Sequence, residues 1–282
     1  MKKFITVIMA AALCVSALTA CGSKADPAAA ASDAGQAEEG AAAGEAGDGA
    51  EVSEALADGV LNVGTNAEFP PFEYVNDSGE PDGFDVALIK AIGEKLGVEV
   101  VVDNMEFASL VSSIGSKIDV AIAGMTITED RQKTVDFSNP YYEAVQYVIL
   151  PAGSEIAAAE DLKGKSIGVQ LGTTGDFIAE EIEGAAVSQY NKGVDAVNDL
   201  INGRVDCVIL DKNPALVFES KFSGKITAVD GAQFDFGKEE YAIAMPKGDA
   251  VLAGQINAAL QELMADGSFD KLVEQYIEQI EE

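Results

Sequence analysis

Two stretches of this chain repeat one order of parts. Leu110-Val111-Ser112-Ser113-Ile114-Gly115-Ser116-Lys117-Ile118-Asp119-Val120-Ala121-Ile122 and Val197-Asn198-Asp199-Leu200-Ile201-Asn202-Gly203-Arg204-Val205-Asp206-Cys207-Val208-Ile209 each read as a helix, a Gly stop, a basic residue, and an Ile/Val-Asp pair opening an apolar run. Glycine ends a helix because it accepts the left-handed conformation needed just past the last turn. The apolar run that follows is a buried strand, of the kind helices cover in a parallel sheet. Helix-Gly-strand is common wherever such sheets occur, so the unit sets the class, α/β, and its recurrence suggests two lobes of one design.

The remaining sequence from Val60 obeys the same grammar. In the first half Val60–Thr65 is predicted as a strand, Phe84–Leu96 as a helix stopped by Gly97, Val98–Val102 as a strand, Phe107–Ile114 as a helix and Ile118–Gly124 as a strand. The second half reads Ser166–Gln170 strand, Gly175–Ile182 helix, Val194–Asn202 helix and Val205–Leu210 strand. Ligands of open α/β sheets sit at the carboxyl ends of the strands. A site is therefore expected between the lobes, walled by whatever follows Thr65, Gly124, Gln170 and Leu210.

The N-terminal residues do not share this pattern. Met1-Lys2-Lys3 is a short positive head, Phe4–Leu18 is apolar but too short to span a bilayer stably, and small residues follow, so residues 1–20 read as a secretory signal peptide. The end, Leu18-Thr19-Ala20-Cys21-Gly22, resembles a bacterial lipoprotein signal, in which cleavage leaves a lipid on Cys21; the alternative is an ordinary Cys near a soluble protein's cleavage site. Residues 22–58 hold 9 acidic residues, one basic residue and no aromatic. Such a stretch buries too little to order itself. Residues 21–58 are thus expected to be an acidic tether, with a reach of about 30–36 Å as a flexible coil.

Composition removes whole classes of function. The chain has no His, which excludes a Ser-His-Asp or Cys-His relay, a His-ligated metal and an imidazole pH switch. A formal charge of −30 argues against nucleic acid, whose phosphates need Lys and Arg. With Cys14 in the signal and Cys21 at the lipid site, Cys207 alone is left in the folded part, so a disulfide or a Cys-based zinc site is not expected there. Cys207 lies in an apolar run and reads as a small buried hydrophobe. No metal and no cofactor are expected.

The strand ends carry groups that suit an amino acid. Arg131, one of two Arg in the chain, follows Thr126-Ile127-Thr128-Glu129-Asp130, and its planar guanidinium offers a two-point grip on a carboxylate that Lys lacks. A solvated Arg131 paired with Glu129 or Asp130 is the other reading. Gln170-Leu171-Gly172-Thr173-Thr174-Gly175 joins a strand to a helix, where the threonines can cap the helix and free N–H groups attract an anion. Asp211 closes Val205–Leu210 and suits an ammonium group, although an Asp before Lys212-Asn213-Pro214 also shapes turns.

Taken in order, several motifs resemble a known family: Gly64-Thr65-Asn66-Ala67-Glu68-Phe69-Pro70-Pro71-Phe72, Gly83-Phe84-Asp85-Val86, Gly124-Met125-Thr126-Ile127-Thr128 through Arg131, Phe137-Ser138-Asn139-Pro140-Tyr141, Leu162-Lys163-Gly164-Lys165 and Tyr241-Ala242-Ile243-Ala244-Met245-Pro246-Lys247-Gly248. From about Leu61 to Tyr276 the chain resembles the polar amino-acid-binding proteins of ABC importers, extracytoplasmic solute-binding family 3. The resemblance implies a two-lobed periplasmic-binding-protein fold of type II, each lobe a mostly parallel sheet flanked by helices, joined by a two-strand hinge. It places lobe one at residues 59–148 plus 242–282 and lobe two at 149–241, with crossing strands near Val148–Pro151 and Phe236–Ala242. The last helices, within Val251–Met264 and Phe269–Ile280, are expected to pack on lobe one.

The same resemblance implies roles for residues. Arg131 clamps the ligand α-carboxylate with Thr126 and the backbone of Gly124, Thr173 and Thr174 supply further donors, and Asp211 holds the α-ammonium. Aromatic walls fall on Phe69 and Phe107, with Phe72 beside them in the core. Many relatives carry Asp where this chain has Asn66, which removes a carboxylate that a basic side chain would want. Asn66, Gln170 and Leu210 make a neutral surround, and with Arg131 engaged an acidic side chain would lack a partner. The expected ligand is a neutral, polar L-amino acid, captured by hinge closure and handed to an ABC permease by a monomeric, lipid-anchored, non-enzymatic protein. The rival is a small carboxylic-acid lyase similar to cyclohexadienyl dehydratase, for which Glu68 is the candidate acid or base.

Overall fold

The computed structural model describes residues 52–278. The predicted signal segment, Cys21 and the tether as far as residue 51 lie outside the described residues. The tether prediction runs too far at its other end. Glu54–Leu56 is a single helical turn capped by Ser53, and Leu56 is buried. Ser53 Oγ donates to Asp249 Oδ2 at 2.7 Å, and the Ser53 N–H to Gln255 Oε1 at 3.2 Å. One Leu in a run of Ala, Asp and Glu leaves no periodic pattern, so only the distant partner reveals it.

The first half builds outward from β1 (Val60–Thr65). A small antiparallel meander follows, of β2 (Glu68–Phe69), β3 (Glu73–Val75) and β4 (Pro81–Asp82), before α1 (Phe84–Leu96) and β5 (Glu99–Asn104). Helix α1 turns Phe84, Leu88, Ile89 and Ile92 into the core and stops at Gly97, at φ 70°. Next come α2 (Phe107–Ser113), β6 (Val120–Ala121), α3 (Glu129–Gln132) and β7 (Val135–Phe137). Strand β6 is shorter than the predicted Ile118–Gly124. Ile118 bridges back to Ile114, and beyond Ala121 the chain leaves the sheet toward Gly124, at φ 51°.

Gly83 shows how closely the meander packs on α1. The N–H groups of Phe84 and Asp85 donate to Pro71 O at 3.0 Å and Phe72 O at 2.8 Å. With Gly83 at φ 123°, a Cβ would lie 2.3 Å from Phe72 O, a backbone atom that cannot swing aside. Gly83→Ala is expected to destabilise the protein by about 1–3 kcal/mol in thermal or urea unfolding; an unchanged midpoint would show that the turn is slack.

The long strand β8 (Tyr142–Pro151) leads into the second half. There β9 (Ser166–Gln170), α4 (Thr174–Glu181), β10 (Ala186–Tyr190), α5 (Gly193–Ile201), β11 (Cys207–Asp211), α6 (Lys212–Lys221) and β12 (Ile226–Asp230) follow. The chain returns through β13 (Lys238–Tyr241) to β14 (Ala244–Pro246), α7 (Ala250–Ala265) and α8 (Ser268–Tyr276). One sheet has the order β5-β1-β6-β14-β7; the other runs β10-β9-β11-β8-β12. In each, the strands of the repeated unit are parallel to their neighbours: β1 with β5 and β6, β9 with β10 and β11. Helices α7 and α8 pack on α1.

Strands β8 and β13 pass between the two sheets. They pair antiparallel from Tyr142↔Tyr241 to Val145↔Lys238. The crossing thus comes before Val148, which already pairs with Ile209 inside the second sheet. Tyr142–Pro151 forms one continuous strand, so no break in the sequence marks where it changes sheets. Cys207 is buried within β11, and that burial pushes its thiol up to about 12, leaving it unreactive at neutral pH.

Candidate ligand cleft

The carboxyl ends of the central strands converge on one cleft, lined by Asn66, Phe69, Phe107, Ala123, Gly124, Thr126, Arg131, Gln170, Thr173, Thr174 and Asp211. Of the eleven residues expected around the ligand, ten lie on this wall and Leu210 does not. Asn66 and Phe69 follow β1, Ala123 to Thr126 follow β6, Gln170 ends β9, and Asp211 ends β11.

Arg131 is 8% exposed and does not pair with Glu129 or Asp130. Thr128 caps α3 by accepting the Arg131 N–H at 3.2 Å, which sets the side chain pointing inward. Nη1 donates to Thr126 O at 2.6 Å, Nη2 reaches across the cleft to Gly172 O at 3.0 Å, and the guanidinium carbon lies 5.4 Å from the centre of the Phe107 ring. Burial pulls its pKa down to about 10, against which the charges of Glu239 and Asp211 act, so it remains a cation at neutral pH.

Asp211 stands on the opposite half. It precedes α6 without capping it, so its carboxylate serves the cleft rather than a turn. Tyr241 Oη donates to Asp211 Oδ1. Burial, then the charge of Glu239, raises its pKa above the ordinary carboxylate range. An ammonium group beside it would restore the ionised form.

The threonines are used differently from what the resemblance implies. Thr173 Oγ1 donates to Gln170 O at 2.8 Å and accepts from the Asp176 N–H, capping α4. Thr126 Oγ1 and Thr174 Oγ1 donate to Glu239 Oε2 at 2.6 and 2.7 Å. All three hydroxyl protons are thus engaged within the protein. The Gly124 N–H, expected to face the ligand, donates to Asp85 Oδ2 at 2.7 Å in this structure. Arg131 and the N–H groups of the first turn of α4 remain as donors near that position.

At the other end, Gln170 Nε2 donates across the cleft to Asn66 Oδ1 at 2.9 Å and to Asn191 O at 3.2 Å, while Asn66 Nδ2 donates to Met105 O at 2.8 Å. Leu210 does not join this surround. Neighbours on a strand face opposite ways, and Leu210 packs against Gly193 while Asp211 faces the cleft. Glu68 is held by Lys192 at 2.5 Å and is not on the lining. Phe72 is fully buried among Phe84, Tyr142 and Tyr241.

Three acids behind the wall were not anticipated, two of them buried and the third, Glu239, partly buried. Asp85 Oδ2 accepts from the Gly124 N–H and from Tyr141 Oη at 2.8 Å. Both Glu73 oxygens and Asp85 Oδ1 have no donor among the described residues, and the two carboxyls face each other. A proton shared between them satisfies both. Burial pushes Asp85 up to about 6, and burial with the neighbouring Asp85 charge raises Glu73 further. The third acid, Glu239, hides in Lys238-Glu239-Glu240-Tyr241, which reads as surface charge. Its signal is the strand period of two, which puts it on the same face as the buried Tyr241.

Residues 61–279 match the family model of bacterial extracellular solute-binding proteins, family 3. Among relatives, the L-arginine-binding protein of Pseudomonas aeruginosa is 35% identical over 229 residues, 78% of this chain and 88% of that protein. A solved structure of an ancestral arginine-binding protein bound to arginine is 41% identical, with a TM-score of 0.73, and covers 78% of this chain and 98% of its own. An ancestral arginine-binding protein bound to glutamine is 42% identical, with a TM-score of 0.71 and the same coverage.

Proposed function

The chain belongs to the bacterial extracellular solute-binding proteins, family 3, and on that premise we propose that it captures a free L-amino acid with a neutral, polar side chain and delivers it to an ABC permease. The observation that carries the reading is the pairing of buried Arg131 on one half with buried Asp211 on the other, both on one cavity. A guanidinium grips the α-carboxylate and a carboxylate the α-ammonium, and the α4 N-terminus adds N–H groups to the first. The two halves close about the paired segments of β8 and β13, and water leaves a site whose charges are then strongly felt. Lipid on Cys21 and the acidic segment after it hold a monomer at the outer face of the cell membrane.

The side-chain end of the cavity supports the neutral class. Apart from Arg131 and Asp211, no Lys, Arg, Asp or Glu among the described residues lines the cavity. An acidic side chain finds no second cation and a basic one no second carboxylate, while the Gln170 amide, with both N–H groups engaged, presents its oxygen to a donor. Ancestral relatives held with arginine and with glutamine indicate that the fold accommodates either class, so the lining makes the choice. Binding without turnover is favoured because Glu68, the acid a lyase would recruit, is tied to Lys192.

A thermal-shift screen of the twenty L-amino acids, followed by calorimetry, tests this. At a hundredfold excess over Kd a ligand adds about 2.7 kcal/mol to the native state, a rise of roughly 5–11 °C in Tm for a chain of this size. A neutral polar amino acid such as glutamine should give the largest rise and be recovered unchanged. Tightest binding of Lys, Arg, Asp or Glu would retire the specificity, and product formation would favour the lyase.

A further inference from the structure

Glu239 touches the cavity wall from behind, and the capture described above leaves it without a role. Thr126 comes from the first half, Thr174 opens α4 in the second, and Glu239 sits on the crossing strand β13. One oxygen, Oε2, accepts from both hydroxyls, at 2.6 and 2.7 Å, with Gln146 Nε2 at 3.5 Å. Thr126 and Thr174 line the ligand cavity in front and, with Glu239, a separate groove behind. These three side chains therefore partition the cavity from the groove beside the crossing strands. Since the donors belong to different halves, both bonds exist together only while the halves are closed.

We infer that Glu239 is a positioning residue that locks the closed cleft, tying Thr126 to Thr174 through a single carboxylate oxygen and so slowing ligand escape; this rests on the amino-acid reading above. It also turns both hydroxyl protons rearward, away from the ligand carboxylate. Glu239 contributes a charge near Arg131 and Asp211 as well. Charge balance is the competing account, and a Gln at this position separates the two, because its amide oxygen still accepts both hydroxyls while the charge is gone.

The test uses the full chain and the amino acid that gives wild type its largest thermal shift, with calorimetry and stopped-flow dissociation on wild type, E239Q and E239A. E239A should release ligand about tenfold faster or more at a similar association rate, the scale of losing hydrogen bonds to a charged group. E239Q should stay within about threefold of wild type, since the acceptor remains. In the E239A background, T174V should add less than about twofold, because both changes break one link. Equal losses in E239Q and E239A, or wild-type release from E239A, overturn the inference while leaving the amino-acid reading standing. If E239A does not fold, T174V in the wild-type background carries the test: release about tenfold faster supports the link, and unchanged release overturns it. A wild-type chain that responds to none of the twenty overturns the amino-acid reading and this inference together.

Discussion

Replacing Arg131 by Ala should weaken amino-acid binding by about 2–5 kcal/mol, the loss seen when one partner of a buried charge pair is removed. In calorimetry that is about 30-fold to several thousand-fold in Kd. The ligand carboxylate would enter a site 8% open to solvent at its former partner, with no other Lys or Arg among the described residues on the lining. The variant also loses the Nη2 bond to Gly172 O, a link across the cleft that draws the halves together. Arg131→Lys should recover little, because an ammonium cannot reach Thr126 O, Gly172 O and a carboxylate in one plane while resting against Phe107. A folded R131A protein that binds within about threefold of wild type would remove Arg131 from the clamp.

Lowering the pH from about 6 to about 4 should stabilise the ligand-free protein, with about 2 kcal/mol coming from Asp85 alone. Asp85 titrates near 6 when folded and at 3.8 when unfolded. Between these values the unfolded chain has released the proton that the folded core retains. Stability therefore falls as pH rises through that window and levels off above it. Glu73 and Asp211, both raised by burial, act with the same sign. Asp136, Asp199 and Asp206, held low by their donors, act oppositely below the window, which places the optimum near its acid end.

Asp85→Asn isolates the buried pair. The amide oxygen keeps the bonds from the Gly124 N–H and Tyr141 Oη, and the amide N–H groups turn to the Glu73 oxygens that have no other donor. D85N should melt higher than wild type at pH 7, by roughly 2–4 °C per kcal/mol gained, and its stability should change less between pH 4 and 6. Parallel melting curves against pH, or a lower Tm for D85N at pH 7, would count against a shared proton.

Much of the architecture was open to a reader of residues alone. Val60–Thr65, Phe84–Leu96 and Ser166–Gln170 form with the expected bounds, because period-two and helical patterns and a stop at Gly97 act within a few residues of themselves. The rule that ligands gather at strand carboxyl ends then brought Asn66, Gln170 and Asp211 to one wall. Leu210 was misplaced by one residue's alternation, and Leu56 was passed over for want of any neighbour to make a pattern.

What the sequence determined by itself was the strands and the residues at their ends, since both follow from short-range periodicity and stop signals, while Phe69, Phe107, Thr126 and Gly124 were named through the family resemblance. Only the tertiary structure decided where the protons point. Thr126 and Thr174 turn their hydroxyls to Glu239, Gly124 gives its N–H to Asp85, and the strands cross at Tyr142–Val145. Each of these choices depends on a partner 39 or more positions away, and a hydrogen bond is set by which groups meet in space rather than by which residues stand side by side in the chain.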